Sequence, residues 1–299
     1  MSTLDLRPLT LGELLDRTFT LYRAHFLLFV GISAIPQVLI LALQLVPALF
    51  VGLSMKGIFS VPTNPNGPPQ LPSFPTAAIV GVVLFAVLWI VVVVIASLLT
   101  QGATVVAVSE IYLGRATTLA AAFRPVWKKL ITIFLVAVLT GFAMIGGFIL
   151  LIVPGIYIAC RLSAGVQAAV LENTGAIDAL SRSFALTKDN AGRVFLIYLL
   201  YCCLLGGAIG AVYFVIGIPL ALGAILAKNN PAIMWIIQIL PPLGSFVAGS
   251  LAAPLLTIAM SIFYYDMRVK KEGFDLQMMM NPLGGAAVPA ASVPPAMLS

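Results

Sequence analysis

Arg161 is the ionisable residue placed most unusually in the sequence, because it lies inside an apolar run of about Ile156 to Leu171. An arginine at the centre of a membrane helix costs about 2.5 to 3.5 kcal/mol on insertion scales, so such residues often have a function. The sequence places no acidic residue at the same depth. Two interpretations stay open: an arginine that fixes helix packing, and one that binds a headgroup or an anionic substrate. Its partners would be backbone carbonyls, a lipid phosphate, Gln101, Gln167 or Ser163.

A second group of cations flanks an aromatic ring just before the third apolar run. Arg124, Lys128 and Lys129 lie within one helical turn of Trp127. Such a combination is typical of the headgroup layer, where the ring tolerates both water and hydrocarbon and the cations attract anionic lipid. Arg182 holds a comparable position before the fifth run. We predict contacts with anionic lipid or another anion at these four cations and at Arg161; packing of the same segments under the bundle is the alternative.

The sequence lacks the sets of residues that catalysis usually requires. It has one histidine, His25, and no metal-spaced cluster, nucleotide-binding glycine loop or nucleophile beside a base. Glu110 and Glu172 end two apolar runs, where pairing with a nearby arginine is the simpler interpretation and a proton relay would need deeper carboxylates. We therefore expect no catalytic residue, no cofactor and no metal.

Membrane-spanning helices are the elements that must position these residues. Hydrophobic residues make up 61% of the 299 residues and charged residues 9%, whereas about a quarter of the residues in soluble domains are charged. Continuous runs such as Val91–Ile95 do not alternate as the strands of a barrel would. Lipid requires each such run to satisfy its own backbone hydrogen bonds, as a helix does. The predicted fold class is all-α, a polytopic transmembrane helical bundle.

Six apolar runs approach or exceed the roughly 20 residues that a crossing helix needs. A turn at Pro154-Gly155 should make a tight hairpin, and Pro241-Pro242 and Pro254 should break the sixth run. Glycine pairs at Gly146-Gly147 and Gly206-Gly207, with Gly210, predict close helix contacts. We expect one membrane domain over 1–275 and a disordered tail over 276–299. The predicted spans cover about 26–53, 76–108, 131–153, 156–171, 194–227 and 233–265.

The connectors between the runs differ sharply in charge. Thirteen of the 16 cations and all 10 acidic residues fall on one face of the predicted bundle, and only Lys56 and Lys228 on the other. Lysine and arginine accumulate in short cytoplasmic segments, which predicts that both termini are cytoplasmic. The net charge of +6 is then concentrated where anionic headgroups attract it, so lipid is a better partner than nucleic acid.

Short amphipathic helices are predicted before the first, third and fifth spans. Thr10 and Glu13 have the spacing of a capping box, and the apolar residues from Leu11 to Phe26 follow at helical spacing. Similar patterns occur over 119–130, where Pro125 disturbs the helix, and over 177–184. We interpret the chain as three copies of a short cytoplasmic helix followed by a transmembrane hairpin.

Three blocks of sequence carry a resemblance to a known family. The first runs from Leu6 to Asp16 and on to Leu21-Tyr22-Arg23 and Phe26; the second contains Pro154-Gly155-Ile156-Tyr157, Arg161, Glu172, Ala179-Leu180, Arg182-Ser183 and Thr187; the third contains Tyr264 to Arg268 and Glu272 to Asp275. They resemble the bacterial membrane domain associated with glycerophosphoryl diester phosphodiesterases, including its stand-alone relatives. The resemblance implies a six-helix inner-membrane protein. In two-domain relatives the phosphodiesterase chemistry belongs to a separate soluble barrel, and this sequence has no polar segment long enough for one.

Three functions are compatible with these features. The first is a non-enzymatic component of envelope or lipid-related processes that acts through partner proteins, as yet unknown, or bound anionic lipid. The second is a permease for a small amphipathic or anionic solute, with Arg161 near mid-membrane beside a broken sixth span. The third, which the missing catalytic groups favour least, is an intramembrane enzyme acting on lipid.

Overall fold

The computed structural model describes residues 9–54, 76–226 and 231–272, and every regular element in these ranges is helical. The all-α prediction is therefore confirmed. The predicted tail and residues 1–8, 55–75 and 227–230 lie outside the described residues. The elements are α1 (Leu11–Ala24), α2 (Phe26–Ser54), α3 (Thr76–Tyr112), α4 (Leu119–Leu150), α5 (Ile152–Leu162), α6 (Gly165–Leu171), α7 (Ala176–Leu186), α8 (Ala191–Val212), a π-helical segment (Tyr213–Gly217), α9 (Ile218–Leu226) and α10 (Pro231–Glu272).

Several of these helices are long and apolar enough to cross a membrane. Within the described ranges there are five: Phe26–Val46, Ile79–Tyr112, Leu119–Leu150, Ile152–Leu171 and Ile239–Glu272. A bent pair, Ala176–Leu186 with Ala191–Gly207, forms a sixth candidate if its two helices, which meet at 101°, are one span. The chain has the architecture of a multi-pass membrane protein.

The capping box at the start of α1 is present as predicted. Thr10 accepts from the Glu13 amide at 3.3 Å, and the Glu13 carboxylate accepts from the Thr10 amide at 2.8 Å. From this start α1 runs beside the C-terminal half of α10, because Leu9 donates to Asp266 while Tyr22 donates to the Leu251 carbonyl at 2.9 Å. Burial raises the pKa of the Tyr22 hydroxyl. The two helices are antiparallel.

The second predicted short helix and the third span form one continuous helix, α4, which runs through Pro125. A proline inside a helix removes one backbone hydrogen bond, and the helix continues where the bonds on both sides persist. The outward face of this helix is exposed and the inward face is buried. The partners of each cation on the helix depend on which face carries it.

The predicted turn at Pro154-Gly155 was wrong by a few residues. The chain breaks at Leu151, whose φ of −173° and ψ of 160° are extended, and Pro154 lies in the first turn of α5. A proline is tolerated there because amides in the first turn have no acceptor within the helix. The hairpin tip is apolar throughout: residues 148–153 are between 45% and 79% exposed. An exposed apolar tip of this kind fits contact with lipid rather than water.

The prediction that prolines break the sixth run was also wrong, because α10 is one helix of 42 residues. Pro254 has no amide hydrogen to donate to the carbonyl of Ser250, four residues earlier. The Ser33 hydroxyl of α2 donates to that carbonyl at 2.6 Å instead. A neighbouring helix thus replaces the missing hydrogen bond, as it often does within membranes.

Only part of the glycine prediction holds. A Cβ atom at Gly147 would lie 2.8 Å from the Gly155 Cα, so the α4–α5 hairpin needs glycine at its crossing. At Gly146, Gly206, Gly207 and Gly210 nothing lies within 4 Å of such an atom. Close packing therefore depends on one glycine of the first pair and on none of the second group.

Candidate functional site

The segments that the sequence assigned to one charged face meet in space at one end of the bundle. Asp266, whose side chain is fully buried, accepts from the Leu9 amide at 2.8 Å, from Arg193 at 3.1 Å and from Lys270 at 2.9 Å. Arg193 also donates to the Leu9 carbonyl at 2.9 Å. This first network joins the segment before α1, the start of α8 and the end of α10.

A second network joins α6, α7 and the end of α10. The Nε atom of Arg182 donates to both carboxylate oxygens of Glu172, at 3.1 and 3.0 Å, and its Nη2 pairs with Glu272. Arg268 donates to Glu272 at 3.2 Å, and the Tyr264 hydroxyl donates to Glu172. The predicted pairing of Glu172 with an arginine is confirmed. Arg182, predicted to bind lipid, has carboxylates of the chain as its partners.

Glu110 is also paired with an arginine. Glu110 lies 3.8 Å from Arg115, so its predicted pairing with a nearby arginine is confirmed as well. Exposed pairs of this type contribute little to stability, typically about 0 to 1 kcal/mol.

Arg161 is 5% exposed and lies at the end of α5, where it contacts α7. Its Nη2 donates to the Phe184 carbonyl at 2.7 Å and its Nη1 to the Tyr157 hydroxyl at 3.1 Å. The guanidinium also lies 3.7 Å from the centroid of the Phe184 ring. Because α7 ends at Leu186, the Phe184 carbonyl is one of the last four in the helix. No backbone amide of the helix donates a hydrogen bond to these carbonyls. Arg161 therefore caps the C-terminus of α7.

The backbone of Arg161 is bound to α7 as well. Its carbonyl oxygen accepts from the hydroxyls of Ser183 and Thr187, both at 2.9 Å. The Ser183 hydroxyl oxygen accepts in turn from the Ala164 amide at 3.1 Å. Of the partners proposed from sequence, a backbone carbonyl is the one found. Gln101, Gln167 and Ser163 are not hydrogen-bonded to Arg161 in the described ranges.

Two lysines cap helix ends in the same manner. Lys129 donates to the Val170 carbonyl in the last turn of α6 at 2.6 Å. Lys271 donates to the carbonyls of Ala185 and Lys188, at 3.0 and 2.8 Å, where α7 ends. Cations are favoured at helix C-termini, since both the free carbonyls and the helix dipole attract positive charge. Lys129, predicted to bind lipid, thus has a backbone carbonyl of the chain as its partner.

The other two predicted lipid contacts face outward. Arg124 and Lys128 are exposed on α4, and neither has a hydrogen bond or ion pair with any residue that the structure describes. Trp127 is 65% exposed between them and Ile131, one turn further on, is 76% exposed. These four residues, Arg124, Trp127, Lys128 and Ile131, form one helix face, which we name the α4 basic face. It leads directly into the lipid-facing surface of the same helix.

A polar cavity between the helices was missed by the sequence reasoning. It is lined by uncharged side chains, among them Gln37, Ser97, Gln101 and Gln167, and Arg161 is not one of them. The signal available in the sequence was the spacing of Ser97 and Gln101, which share a face of α3 with Thr100 inside an apolar run. Among the described residues, no group of three or more His, Cys, Asp and Glu could hold a metal ion.

No family model, curated protein or solved structure matches this chain. The three sequence blocks nevertheless converge in the fold. Leu9 of the first block is bonded to Asp266 of the third, and Arg182 of the second is bonded to Glu272 of the third. Polar residues of the blocks therefore take part in both networks, while Arg193 and Lys270 of the first network lie outside the blocks.

Proposed function

We propose that this chain is a non-enzymatic, multi-pass component of a bacterial inner membrane, and that it binds anionic lipid through the α4 basic face. The α4 basic face carries this proposal, because its two cations have no partner among the described residues. Trp127 and Ile131 continue the face towards hydrocarbon. A bilayer matches this order of residues, since tryptophan and cations prefer the headgroup layer and isoleucine prefers the acyl chains. The resemblance of the three sequence blocks supports the bacterial membrane.

Lipid binding of the α4 basic face can be measured with Trp127 as the only tryptophan, after replacing Trp89 and Trp235 with phenylalanine. Brominated phosphatidylglycerol should quench its fluorescence more strongly than brominated phosphatidylcholine. Each cation contributes about 1 kcal/mol at an anionic surface, or roughly fivefold. Arg124→Gln with Lys128→Gln should therefore remove most of the preference for phosphatidylglycerol at low salt.

The matched control is Arg115→Gln. Its side chain is 62% exposed, but it is paired with Glu110. Removing this cation should leave the quenching ratio near that of the parent. Equal quenching of the parent by the two brominated lipids would rule out the proposed site.

We further propose six spans with both termini in the cytoplasm. Leu9 precedes α1, and Asp266 lies near the end of α10. The Leu9 amide nitrogen and an Asp266 carboxylate oxygen are 2.8 Å apart. A chain that starts and finishes at the same end of the bundle crosses an even number of times. The accumulation of cations at that end supports a cytoplasmic assignment. Reporter enzymes fused after Asp275 and within 56–75 should report opposite compartments; the same compartment for both would contradict the topology.

A permease is the second candidate, and the cavity is the observation that favours it. Solute sites of transporters lie among the spanning helices, often beside broken ones. The break at Ser163 between α5 and α6 lines the cavity. Arg161 is held by α7 and does not line it, so an anionic solute would meet no cation there. A transported solute would have to be neutral.

A further inference from the structure

The polar cavity has the size and position of a ligand site. Its volume is about 410 Å³, and it lies between α2, α3, α8, α10 and the junction of α5 with α6. Ligand pockets commonly measure about 300 to 1,000 Å³ and combine an apolar wall with a few polar groups. This wall contains residues such as Val166 and Leu256 besides the glutamines and hydroxyl residues.

Three of the hydroxyl groups along this cavity have already donated their hydrogen atoms but can still accept hydrogen bonds. Ser97, Thr100 and Ser163 each donate to a backbone carbonyl in the preceding turn, at 2.8 Å in every case. A hydroxyl has one hydrogen and two lone pairs, so each oxygen remains available as an acceptor. These oxygens are acceptors, and the amide groups of the lining glutamines can both donate and accept.

Gln167 adds a second and independent observation. It lines the cavity and is 4% exposed, and its Oε1 atom has no hydrogen-bond partner among the residues described. A buried amide oxygen without a donor destabilises a protein, so native structures rarely leave one unpaired. A ligand that brings hydrogen atoms to donate would satisfy it.

The absence of charged side chains among the described lining residues indicates the charge of such a ligand. None of the described lining residues is a carboxylate or a cation. An ammonium group or a phosphate would lose its hydration there without a counter-charge. A hydroxyl group carries no charge and both donates and accepts, so several hydroxyls on one ligand match the acceptors and amide donors of this wall.

We propose that this cavity binds a neutral polyhydroxyl group. The group could belong to a free sugar or polyol, or to the headgroup of an uncharged glycolipid. Gln167, Gln101 and Ser97 would hold it through hydrogen bonds. This site is separate from the α4 basic face, and neither proposal depends on the other.

The test uses the full chain, purified in detergent, with glucose and monoglucosyl-diacylglycerol as probes. A ligand that binds only the folded protein raises its Tm as its concentration exceeds Kd. Gln167→Leu should raise the Tm without ligand, because it removes the unpaired oxygen, and should weaken binding at least tenfold. A residue needed only for packing would instead lower the Tm when changed.

A second variant keeps the test decisive if Gln167→Leu fails to fold. Ser97 is exposed on the cavity side of α3, so Ser97→Ala should weaken binding severalfold with an unchanged Tm. Ser181→Ala, exposed on α7 and outside the lining, is the matched control and should change neither property. A Tm shift with glucose supports a free solute, and a shift with the glycolipid alone supports a headgroup. No shift with either probe, or equal shifts in parent and Gln167→Leu, would overturn the proposal.

Discussion

Asp266→Asn should lower the free energy of unfolding by about 2 to 4 kcal/mol, because this carboxylate balances two cations inside the protein. Its side chain has no exposed surface, whereas those of Arg193 and Lys270 are 22% and 27% exposed. Asparagine has nearly the same shape as aspartate. Its uncharged amide would replace the carboxylate between Arg193 and Lys270. Removing one partner of a fully buried pair costs about 3 to 5 kcal/mol. Because both cations are partly exposed to water, we expect a loss towards the lower end of this range.

The loss can be measured as a shift in thermal unfolding of the detergent-purified protein. Asp189→Asn is the matched control: the same change of charge at an exposed residue whose φ of 68° asparagine tolerates. Adding Lys270→Met to Asp266→Asn should recover part of the stability, because one unpaired cation is removed with it. If Asp266→Asn and Asp189→Asn unfold at the same temperature, Asp266 does not hold the helix ends together.

The sequence predicted those features that depend on short stretches of chain. The apolar runs predict helices, Thr10 and Glu13 predict the start of α1, and the position of Glu172 beside a basic segment predicts its ion pair. Each of these needs only residues that are close in sequence or a general property of lipid. The gathering of the charged connectors at one end follows from their distribution among the spans.

Features that depend on a distant helix could not be predicted in this way. The continuity of α10 at Pro254 requires a hydroxyl from Ser33, which is 217 residues away. Arg161 was placed near mid-membrane by its position in an apolar run, yet its partner is the carbonyl at the end of α7. Which group an arginine reaches depends on how the helices pack, and one sequence without the packing does not contain that information.

Helical periodicity distinguishes two neighbouring lysines that the sequence analysis grouped together. Neighbouring residues on a helix point about 100° apart, because there are about 3.6 residues per turn. Lys129 lies three residues after Val126 and four before Ile133, and both of those are fully buried. The period therefore places Lys129 on the inner face of α4 and Lys128 beside it on the outer face. The two lysines therefore have different surroundings, and lipid contact at either one stays a prediction.

Arg161→Met should lower the free energy of unfolding by about 1.5 to 3 kcal/mol, the range for a hydrogen bond to a charged group. The substitution leaves the Phe184 carbonyl without its donor at 2.7 Å and removes the cation from the Phe184 ring. Arg161→Lys should recover only part of this loss, since an ammonium group lacks the planar guanidinium that stacks and donates at two positions. Arg115→Met is the control, because it removes the same charge from a side chain that is 62% exposed and lies outside the α4 basic face.

Measuring these variants with and without phosphatidylglycerol separates the two roles that the sequence left open. A helix cap loses the same stability in both conditions, because its partner belongs to the protein. A lipid site at Arg161 would instead make the loss in Arg161→Met larger when phosphatidylglycerol is added, because the variant would lack the lipid's contribution there. Equal stability of Arg161→Met and Arg115→Met would argue against the cap. Since the guanidinium already donates to α7 and contacts two aromatic rings, we expect equal losses with and without phosphatidylglycerol.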